Sequence, residues 1–289
     1  MTVKKLSNIV PDIYAILDSL TDGKELGISE ETYEQFGKEM SDALKHWATP
    51  QDRSSKETLR MSNIGKPERR LWYDAHTQSD TTEKLTPNTQ IKFLYGHLLE
   101  VLVLFFVKLA GHNITSMQKE ITVNGIKGHM DCKIDGQVVD VKTASGYAFK
   151  KFKEGTLGED DPFGYLAQLA GYEEAEGTNE GGFLVMNKET GELCMYVPDD
   201  MEKPNIVSKI KNVKASIVKD TPPDYCYEAV PEGVSGNMKL AKGCGWCPHK
   251  IECHKEANDG QGLKAYSYAK GPVYFTKIVK QPKVEEINI

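Results

Sequence analysis

The sequence lacks the long apolar segments that mark secreted and membrane proteins. Its first ten residues, MTVKKLSNIV, contain no apolar stretch of the length that a secretory signal needs. Its longest apolar run, from Leu98 to Ala110, is interrupted by Glu100 and Lys108. It falls short of the roughly 20 residues that cross a bilayer. We therefore expect a soluble, cytoplasmic protein that makes no contact with a membrane.

Positive charge is also scarce. The 289 residues include 36 lysines and arginines against 42 aspartates and glutamates, which gives a net charge of −6 and a pI of about 5.7. Proteins that bind nucleic acid usually draw their affinity from clustered lysine and arginine, so the composition counts mildly against such a partner. It does not exclude one, because an enzyme that cuts nucleic acid needs only a local basic groove beside an acidic metal site.

Cysteine is missing from the first part of the chain. The first cysteine is Cys132, and three of the six fall within ten residues, in the segment CGWCPHKIEC. Such clustering in a cytosolic chain favours a metal site over a disulfide framework. Cys132 and Cys194 lie in predicted strands, where we expect them to be ordinary core residues.

The first fifty residues are predicted to be mainly helical. Ser29 is placed to cap a helix. The apolar positions that follow it repeat at helical spacing and fall on one face: Tyr33, Phe36, Met40, Leu44 and Trp47.

A long helix is predicted from Pro87 to Ala110. Thr86 and Pro87 form a start signal, and Gly111 is a stop signal. Because nearly every residue from 98 to 109 is apolar, we expect this helix to be deeply buried.

Three short β-type runs follow, at residues 116–123, 126–134 and 137–144. Asn124-Gly125 and Asp135-Gly136 separate them, and both pairs are strong hairpin turn signals. The remaining elements are a lysine-rich loop at 147–161, a helix at about 162–175, a hairpin at 181–197 and a helix near 200–218. The order predicts an α/β (α+β) fold with a central mixed sheet flanked by helices.

The predicted turn at 135–136 sets the register of the strands on either side. A two-residue loop there places Asp131 opposite Asp140. Two residues further along each strand, His129 lies opposite Lys142. All four side chains then project from one face of the sheet. The other face carries apolar side chains: Met130, Cys132, Ile134, Val139 and Val141.

Two aspartates directly opposite each other repel and destabilise a sheet. A divalent cation between Asp131 and Asp140 would compensate, and carboxylate oxygens suit Mg²⁺ or Mn²⁺. Lys142 would then orient an attacking water or stabilise charge on a phosphate. Together these are the parts of metal-assisted phosphodiester hydrolysis. The alternative is a solvated hairpin face, where aspartate and lysine are common.

Glu100 and the pair Gln168 and Tyr172 are further candidates. A carboxylate in the apolar long helix is costly unless it is paired or bound to a metal, and His97 shares its face. The alternative is a glutamate at the rim of the helix.

Gln168 and Tyr172 lie four residues apart and offer an amide and a phenol to a phosphate or a base. Such pairs are also common without a function.

Taken in order, these motifs resemble the PD-(D/E)xK nucleases of the RecB and phage-exonuclease branch. That group shows G-x-x-x-(H/E) on a buried helix, G-h-x-D on a strand, (D/E)-x-K on the next strand and Q-x-x-x-Y on a helix. The resemblance covers roughly residues 60–255. The matching segments are Gly96 with Glu100, GHMD ending at Asp131, DVK at 140–142, and Gln168 with Tyr172.

The resemblance implies a restriction-endonuclease-like nuclease core over residues 61–220, after a helical region at 1–60 and before a cysteine-rich tail at 221–289 that packs on the core. It implies an Mg²⁺-dependent deoxyribonuclease, commonly an exonuclease, that serves phage or bacterial recombination, repair or replication. DNA would be the substrate, and recombination or replication proteins would be partners. The setting would be the cytoplasm of a bacterium or of a phage-infected cell.

The resemblance also assigns roles to residues. The catalytic residues would be Glu100, Asp131, Asp140 and Lys142. The metal would be held by Glu100, Asp131 and Asp140 together with Val141, which can offer only its main chain. Gln168 and Tyr172 would lie beside the substrate. From the residues themselves, His129 shares the face of the carboxylates, and Lys150, Lys151 and Lys153 form the densest basic run adjoining the site, so we predict that they also contact the substrate.

The tail has the spacing C-x₂-C-x₅-C, as in relatives that bind a 4Fe–4S cluster. The three thiols are those of Cys244, Cys247 and Cys253. The relatives supply a fourth cysteine far upstream, in a segment that resembles SNIGKPERRLWY, but this chain has Lys66-Pro67 near that place. Cys226 would complete an all-thiolate site, whereas His249 or His254 would complete a Cys₃His zinc site. Packed cysteines without a metal are the alternative.

Two other functions stay open on the sequence alone. One is a DNA-binding or assembly subunit that keeps the nuclease fold but does not cut. The other is a metal-dependent nuclease that acts on RNA. The presence of Glu100, Asp131, Asp140 and Lys142 argues against the first, since an idle site has no reason to keep opposed carboxylates.

Overall fold

The computed structural model describes residues 4–49, 59–77 and 86–289; along them α-helices come first and the strands begin at Ile114. The helices are α1 (Ile9–Thr21), α2 (Glu30–Ala48), α3 (Glu68–His76), α4 (Pro87–Leu109), α5 (Gly146–Lys153), α6 (Tyr165–Glu176), α7 (Ile206–Ile217), α8 (Lys242–Gly245), α9 (Lys250–Cys253) and α10 (Ala257–Gly260). The strands are β1 (Ile114–Thr115), β2 (Lys119–Val123), β3 (Ile126–Met130), β4 (Cys132–Ile134), β5 (Gln137–Ala144), β6 (Gly182–Asn187), β7 (Leu193–Tyr196), β8 (Val230–Pro231), β9 (Met238–Lys239), β10 (Lys264–Tyr268), β11 (Gly271–Lys277) and β12 (Glu286–Ile287).

By their internal contacts, the described residues fall into two compact units. The first comprises those of Met1–Gly65 and Leu85–Lys211, and the second those of Lys66–Lys84 and Asn212–Ile289. Helix α3 therefore groups with the C-terminal part of the chain, although it precedes the long helix in sequence.

A mixed five-stranded sheet forms the centre of the first unit, in the order β1-β4-β5-β6-β7. Strands β5 and β6 are parallel, and the other neighbours are antiparallel. This confirms the predicted α/β class with a central mixed sheet flanked by helices.

Helices cover both faces of this sheet. On one face, apolar residues of α1 and α4 pack against those of the strands: Ile9, Ile13, Val103, Leu104 and Val107 against Cys132, Ile134, Val139, Val141 and Leu184. On the other face, the ring of Phe183 contacts Phe152 of α5 at 5.4 Å and Tyr165 of α6 at 6.5 Å between centroids. The predicted apolar face of the hairpin is thus confirmed for its β4 and β5 residues, and it lies under α1 and α4.

Both predicted two-residue turns are present. Asp135 and Gly136 have φ angles of 50° and 88°, and Ile134 pairs with Gln137 across them. Residues 124–125 also have positive φ angles and join β2 to β3. Positive φ at both central positions is the geometry that favours an Asn-Gly or Asp-Gly pair in a tight hairpin.

The prediction of one continuous strand over residues 126–134 is wrong. The strand is interrupted at Asp131, so that β4 pairs with β5 but β3 pairs with β2 in a separate two-stranded sheet. Pairing of β4 with β5 ends because the amide of Val141 donates to the side chain of Asp131. In consequence His129 lies opposite Glu120, not opposite Lys142.

The expectation that α4 is deeply buried is also wrong. Its buried residues are Val103, Leu104 and Val107, all in its second half, where it lies on the sheet. Near its start, Phe93 is 52% exposed. Among the described residues, α4 is the one helix long and apolar enough to cross a membrane by length and composition, a test that core helices of soluble proteins also pass.

Helix α2 begins as predicted, because the Ser29 side chain accepts a hydrogen bond from the amide of Thr32. It packs on α4 through Phe36 and Phe105, whose ring centroids are 4.5 Å apart.

The expected lysine-rich loop at 147–161 instead consists largely of α5 and a short 3₁₀ turn. Its Phe149 and Phe152 are both buried, which explains why this segment is a helix.

The second unit contains a sheet that the sequence did not predict. Its five strands have the order β12-β10-β11-β9-β8, and all neighbours are antiparallel. Tyr266 and Phe275 are buried in it, with ring centroids 5.6 Å apart. Three of the strands, β8, β9 and β12, are only two residues long, and strands this short leave little alternation in the sequence.

Candidate active site

Strand β5 carries the centre of the candidate site. Asp140 has no exposed surface, although it is charged in its usual state. The Nζ atom of Lys142, two residues along the strand, lies 2.5 Å from Asp140 Oδ2. Burial alone would lower the pKa of the Lys142 ammonium, but the carboxylates of Asp140 and Asp131 outweigh it and raise that pKa.

Asp131 lies next to this pair, between the end of β3 and the start of β4. Its Oδ2 accepts a hydrogen bond from the amide of Val141 at 2.9 Å, and its main-chain carbonyl accepts one from the amide of Gln118. Burial and the negative charge of Asp140 raise the pKa of the Asp131 carboxyl well above its usual range.

Glu100 of α4 is the third carboxylate. Its Oε1 accepts a hydrogen bond from Gln118 Nε2 at 3.2 Å. Burial, followed by repulsion from Asp140, raises the pKa of Glu100 to about 7. The carboxyl groups of Glu100, Asp131 and Asp140 therefore lie close together around the Lys142 ammonium, and their negative charges repel one another.

These carboxylates do not converge on one point. Each is turned toward a protein donor: Asp140 toward Lys142, Asp131 toward the Val141 amide and Glu100 toward Gln118. Accordingly, no three His, Cys, Asp or Glu side chains within residues 4–49, 59–77 and 86–289 form a group placed to hold a metal ion.

The residues nevertheless fit a hard divalent cation. Both carboxylate oxygens of Asp140 are buried; Oδ2 faces the Lys142 ammonium, and Oδ1 has no hydrogen-bond partner. Unpartnered buried oxygens of a charged group are costly unless a cation compensates them. The donors available are all oxygen, which is the set that Mg²⁺ and Mn²⁺ prefer.

Helix α6 brings Gln168 and Tyr172 to the same place. Both are buried, and Gln168 Nε2 donates to the Tyr172 hydroxyl at 2.6 Å. Burial and the charge of Asp140 raise the pKa of Tyr172. The pair thus lies beside the carboxylates, but its polar atoms are engaged with each other rather than presented at the surface.

Other predicted substrate residues are not gathered at the carboxylates. His129 is exposed on β3. Each lysine of the basic run has an acidic partner: Lys150 with Glu154, Lys151 with Asp160, and Lys153 with Glu192. His97 lies near His46 instead, with ring centroids 5.8 Å apart.

Two residues at the site were not singled out in the sequence. Gln118 holds Glu100, and Tyr165 lies under the Lys142 ammonium, whose Nζ is 5.2 Å from the ring centroid. Tyr165 could have been found, because it precedes Gln168 by three residues and shares a helical face with it and Tyr172. Gln118 gave no such signal, since it lies in a turn with a positive φ.

Within the second unit, four cysteines lie close enough to influence one another. Burial raises the pKa of the Cys244 thiol to about 12, and Cys226, Cys247 and Cys253 contribute to the rise. All four are free thiols. Arg69 of α3 donates through Nε to Cys253 Sγ at 3.0 Å.

Both histidines that could have served as the fourth tail ligand are engaged elsewhere. His249 Nε2 lies 2.6 Å from Asp74 Oδ1, and burial with Arg69 nearby lowers the pKa of His254. The His254 ring stacks on Tyr225 at 4.9 Å between centroids.

Comparison with known proteins gives only distant likenesses. No protein-family model and no curated protein sequence matches the chain. Similar solved structures include that of SSO0001, with a TM-score of 0.38 and 16% identity, covering 76% of this chain and 94% of that one. They also include an alkaline exonuclease, LHK-Exo from Laribacter hongkongensis, with a TM-score of 0.32 and 14% identity over 54% of this chain and 91% of that chain. The same exonuclease in complex with dAMP has a TM-score of 0.30 and 13% identity, with coverages of 56% and 94%. These likenesses are too weak to assign the chain to a family.

Proposed function

We propose that this protein is a metal-dependent DNA nuclease whose active centre is built on Asp140 and Lys142. The observation that carries the proposal is the fully buried Asp140 carboxylate: its Oδ1 has no hydrogen-bond partner, its Oδ2 faces the Lys142 ammonium, and two further carboxyl groups lie close by. A structural role alone would favour an apolar pair there, because a buried ion pair is often no more stable than hydrophobic residues of similar size.

The residues that would hold Mg²⁺ or Mn²⁺ are Glu100, Asp131 and Asp140, with the main-chain carbonyl of Val141. When bound, the metal ion polarises the phosphodiester and lowers the pKa of an attacking water. Asp140 keeps the Lys142 ammonium protonated and in place. Lys142 orients the water or stabilises charge that develops on the phosphate. Glu100, with a pKa of about 7, gives up its proton when it becomes a ligand.

DNA as the substrate, and cleavage from an end, rest on the ordered motifs of the sequence rather than on the geometry. RNA cleavage by the same centre and a DNA-binding subunit that does not cut are the competing functions. A simple assay separates them. Wild-type protein and the Asp140→Asn variant are incubated with labelled linear DNA or RNA in Mg²⁺, Mn²⁺ or EDTA.

The proposed enzyme degrades DNA with either metal, is inactive in EDTA, and loses activity in Asp140→Asn. Degradation of RNA alone would show that RNA rather than DNA is the substrate. Inactivity toward both nucleic acids would favour a DNA-binding subunit that does not cut. A control variant, Asp42→Asn, changes an exposed aspartate on α2 and should cut as the wild type does.

We further propose that Cys226, Cys244, Cys247 and Cys253 hold a 4Fe–4S cluster or a zinc ion. Support comes from the C-x₂-C-x₅-C spacing of Cys244, Cys247 and Cys253 and from the influence of Cys226 on the pKa of Cys244, although no three of these side chains form a ready metal group among the described residues. Four thiolates suit an iron–sulfur cluster and also a structural zinc site. The role would be structural, joining the segments that carry the four cysteines. Metal analysis and a visible spectrum after anaerobic purification distinguish iron from zinc.

A further inference from the structure

An open groove lies directly beside the carboxylate cluster. Its volume is about 950 Å³, and its walls come from the end of α2, the start of α4, strand β5 and the segment before α6. Glu100 and Lys142 are among its lining residues, so the groove reaches the candidate metal site. A substrate that occupied it would have a path to the reacting groups.

Aromatic rings line this groove and connect to the active centre. The Lys142 ammonium lies over the ring of Tyr165. Tyr165 in turn stacks on Phe163, with 5.5 Å between centroids and 23° between planes. Phe163 is 56% exposed, and Phe93 in the same groove is 52% exposed. Exposed flat rings of this kind offer surfaces on which nucleic acid bases stack.

Lysines are prominent in the described lining of the groove, although the protein is acidic. Among the residues that the structure describes, Lys92, Lys142 and Lys188 line it together with one acidic residue, Glu100, and the charge of Lys142 is balanced by Asp140. Lys92 and Lys188 are exposed, and neither forms an ion pair within the part of the chain that the structure describes. His97 adds no charge at neutral pH, because burial and the neighbouring His46 lower its pKa.

This contrasts with the basic run of α5. All three of its lysines are paired with carboxylates, so their charges are already compensated. A phosphate that approached them would have to displace Glu154, Asp160 or Glu192. Lys92 and Lys188 carry no such cost, and they lie in the groove that leads to Lys142.

We propose that this groove binds single-stranded DNA, with Phe93 and Phe163 stacking on bases and Lys92 and Lys188 contacting phosphates. The inference rests on the proposed nuclease function and specifies its substrate. Bases in a duplex are paired and stacked on one another, so they cannot lie on protein rings unless they are flipped out. Aromatic surfaces interleaved with lysines are the arrangement by which proteins hold single strands without reading sequence.

The test measures binding rather than cleavage. Fluorescence anisotropy of labelled dT20, of a 20-base-pair duplex and of a 20-nucleotide abasic strand is recorded with wild-type protein in EDTA. The dT20 strand is expected to bind at least roughly tenfold more tightly than the duplex. Phe93→Ala and Phe163→Ala should each weaken dT20 binding roughly tenfold and leave abasic-strand binding unchanged, because only the stacking partner is lost. Tyr33→Ala is the matched control: it removes a ring that is 51% exposed on α2 but does not line the groove.

The lysines are tested by the salt dependence of dT20 binding. The double variant Lys92→Gln/Lys188→Gln should reduce the slope of log K against log salt by about 1.4, since each lost phosphate contact on a single strand contributes about 0.7. The double variant Lys150→Gln/Lys153→Gln should leave the slope unchanged. Equal binding of strand and duplex, or unchanged dT20 binding in both phenylalanine variants, would overturn the proposal.

Failure of this proposal and failure of the nuclease function give different results. If groove variants bind dT20 as the wild type does while Asp140→Asn abolishes cleavage, the nuclease function is supported and single-strand binding in the groove is contradicted. If groove variants lose dT20 binding but wild-type protein cuts nothing in Mg²⁺ or Mn²⁺, the groove stands and the nuclease function falls.

Discussion

The ammonium of Lys142 lies 2.5 Å from the Oδ2 atom of Asp140, a carboxylate with no exposed surface. Side chains two residues apart on a strand share a face, so β5 alone places the two groups together. The pair is surrounded by Asp131 and Glu100, and the pKa of each of these carboxyls is raised by burial and by the charge of Asp140. Strand β5 thus places an ammonium against a buried carboxylate, and two further carboxyl groups lie beside this ion pair.

Lys142→Met should abolish cleavage and reduce stability. The substitution leaves Asp140 buried without its cation, and breaking a buried ion pair in this way costs about 3–5 kcal/mol. DNA binding should change less than about twofold, because Lys142 acts on the transition state rather than on the bound substrate. Thermal unfolding, strand binding and single-turnover cleavage measure the three effects.

The double variant Asp140→Asn/Lys142→Met separates folding from catalysis. Removing both charges should recover most of the lost stability, because no uncompensated charge stays buried, yet cleavage should still be absent. Recovery of cleavage together with stability would mean that the pair only supports the fold.

Ionisation of Glu100 should make the metal-free protein less stable as pH rises. Its folded pKa of about 7 lies above the unfolded value near 4.5, so the folded state binds the proton more tightly. The resulting stability is present below pH 4.5 and is lost as pH rises through 7, to the extent of about 1–3 kcal/mol. Glu100→Gln should lose less stability than the wild type when unfolding is followed from pH 5 to 8 in EDTA; Asp131, whose folded pKa is also raised, accounts for the loss that persists.

Protonation of Glu100 should weaken the binding of a metal ion at the site. Mn²⁺ binding to the wild type, measured by calorimetry, should tighten between pH 6 and 8 and release protons. A pH-independent affinity, or equal pH dependence in Glu100→Gln, would remove Glu100 from the ligand set.

Cys226→Ser should lower the metal content of the tail. If four thiols hold one centre, loss of one ligand reduces bound iron or zinc well below one centre per chain, and the visible absorption of an iron–sulfur cluster falls with it. Cys194→Ser, in strand β7, is the matched control and should keep the full metal content. Full metal content in Cys226→Ser would mean that another residue is the fourth ligand.

Gly164→Ala should disturb the start of α6, which carries Tyr165, Gln168 and Tyr172. Gly164 has a φ of 77°, and a Cβ there would overlap the backbone of Gly65. We expect a loss of about 2–4 kcal/mol in the free energy of unfolding. Gly37→Ala, in the middle of α2 with open space around it, should instead stabilise by roughly 0.5–1 kcal/mol. Equal effects in thermal unfolding would contradict the close contact of the two glycines.

The local parts of the site could be predicted from the sequence. The Asp135-Gly136 turn fixed the pairing of Ile134 with Gln137, and the alternation along β5 put Asp140 and Lys142 on one face. These predictions succeed because a two-residue turn and a period of two leave little freedom.

The rest depends on tertiary contacts that no short pattern records. The strand break at Asp131 arises because its side chain takes the amide of Val141, which a register argument cannot foresee. The exposure of Phe93 depends on how far α4 extends past the sheet, and composition alone predicted burial. The paired charges of the α5 lysines depend on acids as distant in sequence as Glu192.

Cleavage of end-labelled DNA in Mg²⁺ tests the central claim most directly. Linear DNA labelled at the 5′ or the 3′ end, nicked DNA and closed circular DNA are each incubated with wild-type protein and with Asp140→Asn. We predict that the wild type shortens linear DNA, leaves closed circles intact, and requires the metal, and that Asp140→Asn does none of this while still binding dT20. No cleavage by the wild type in Mg²⁺ or Mn²⁺, or equal cleavage by Asp140→Asn, would contradict the assignment.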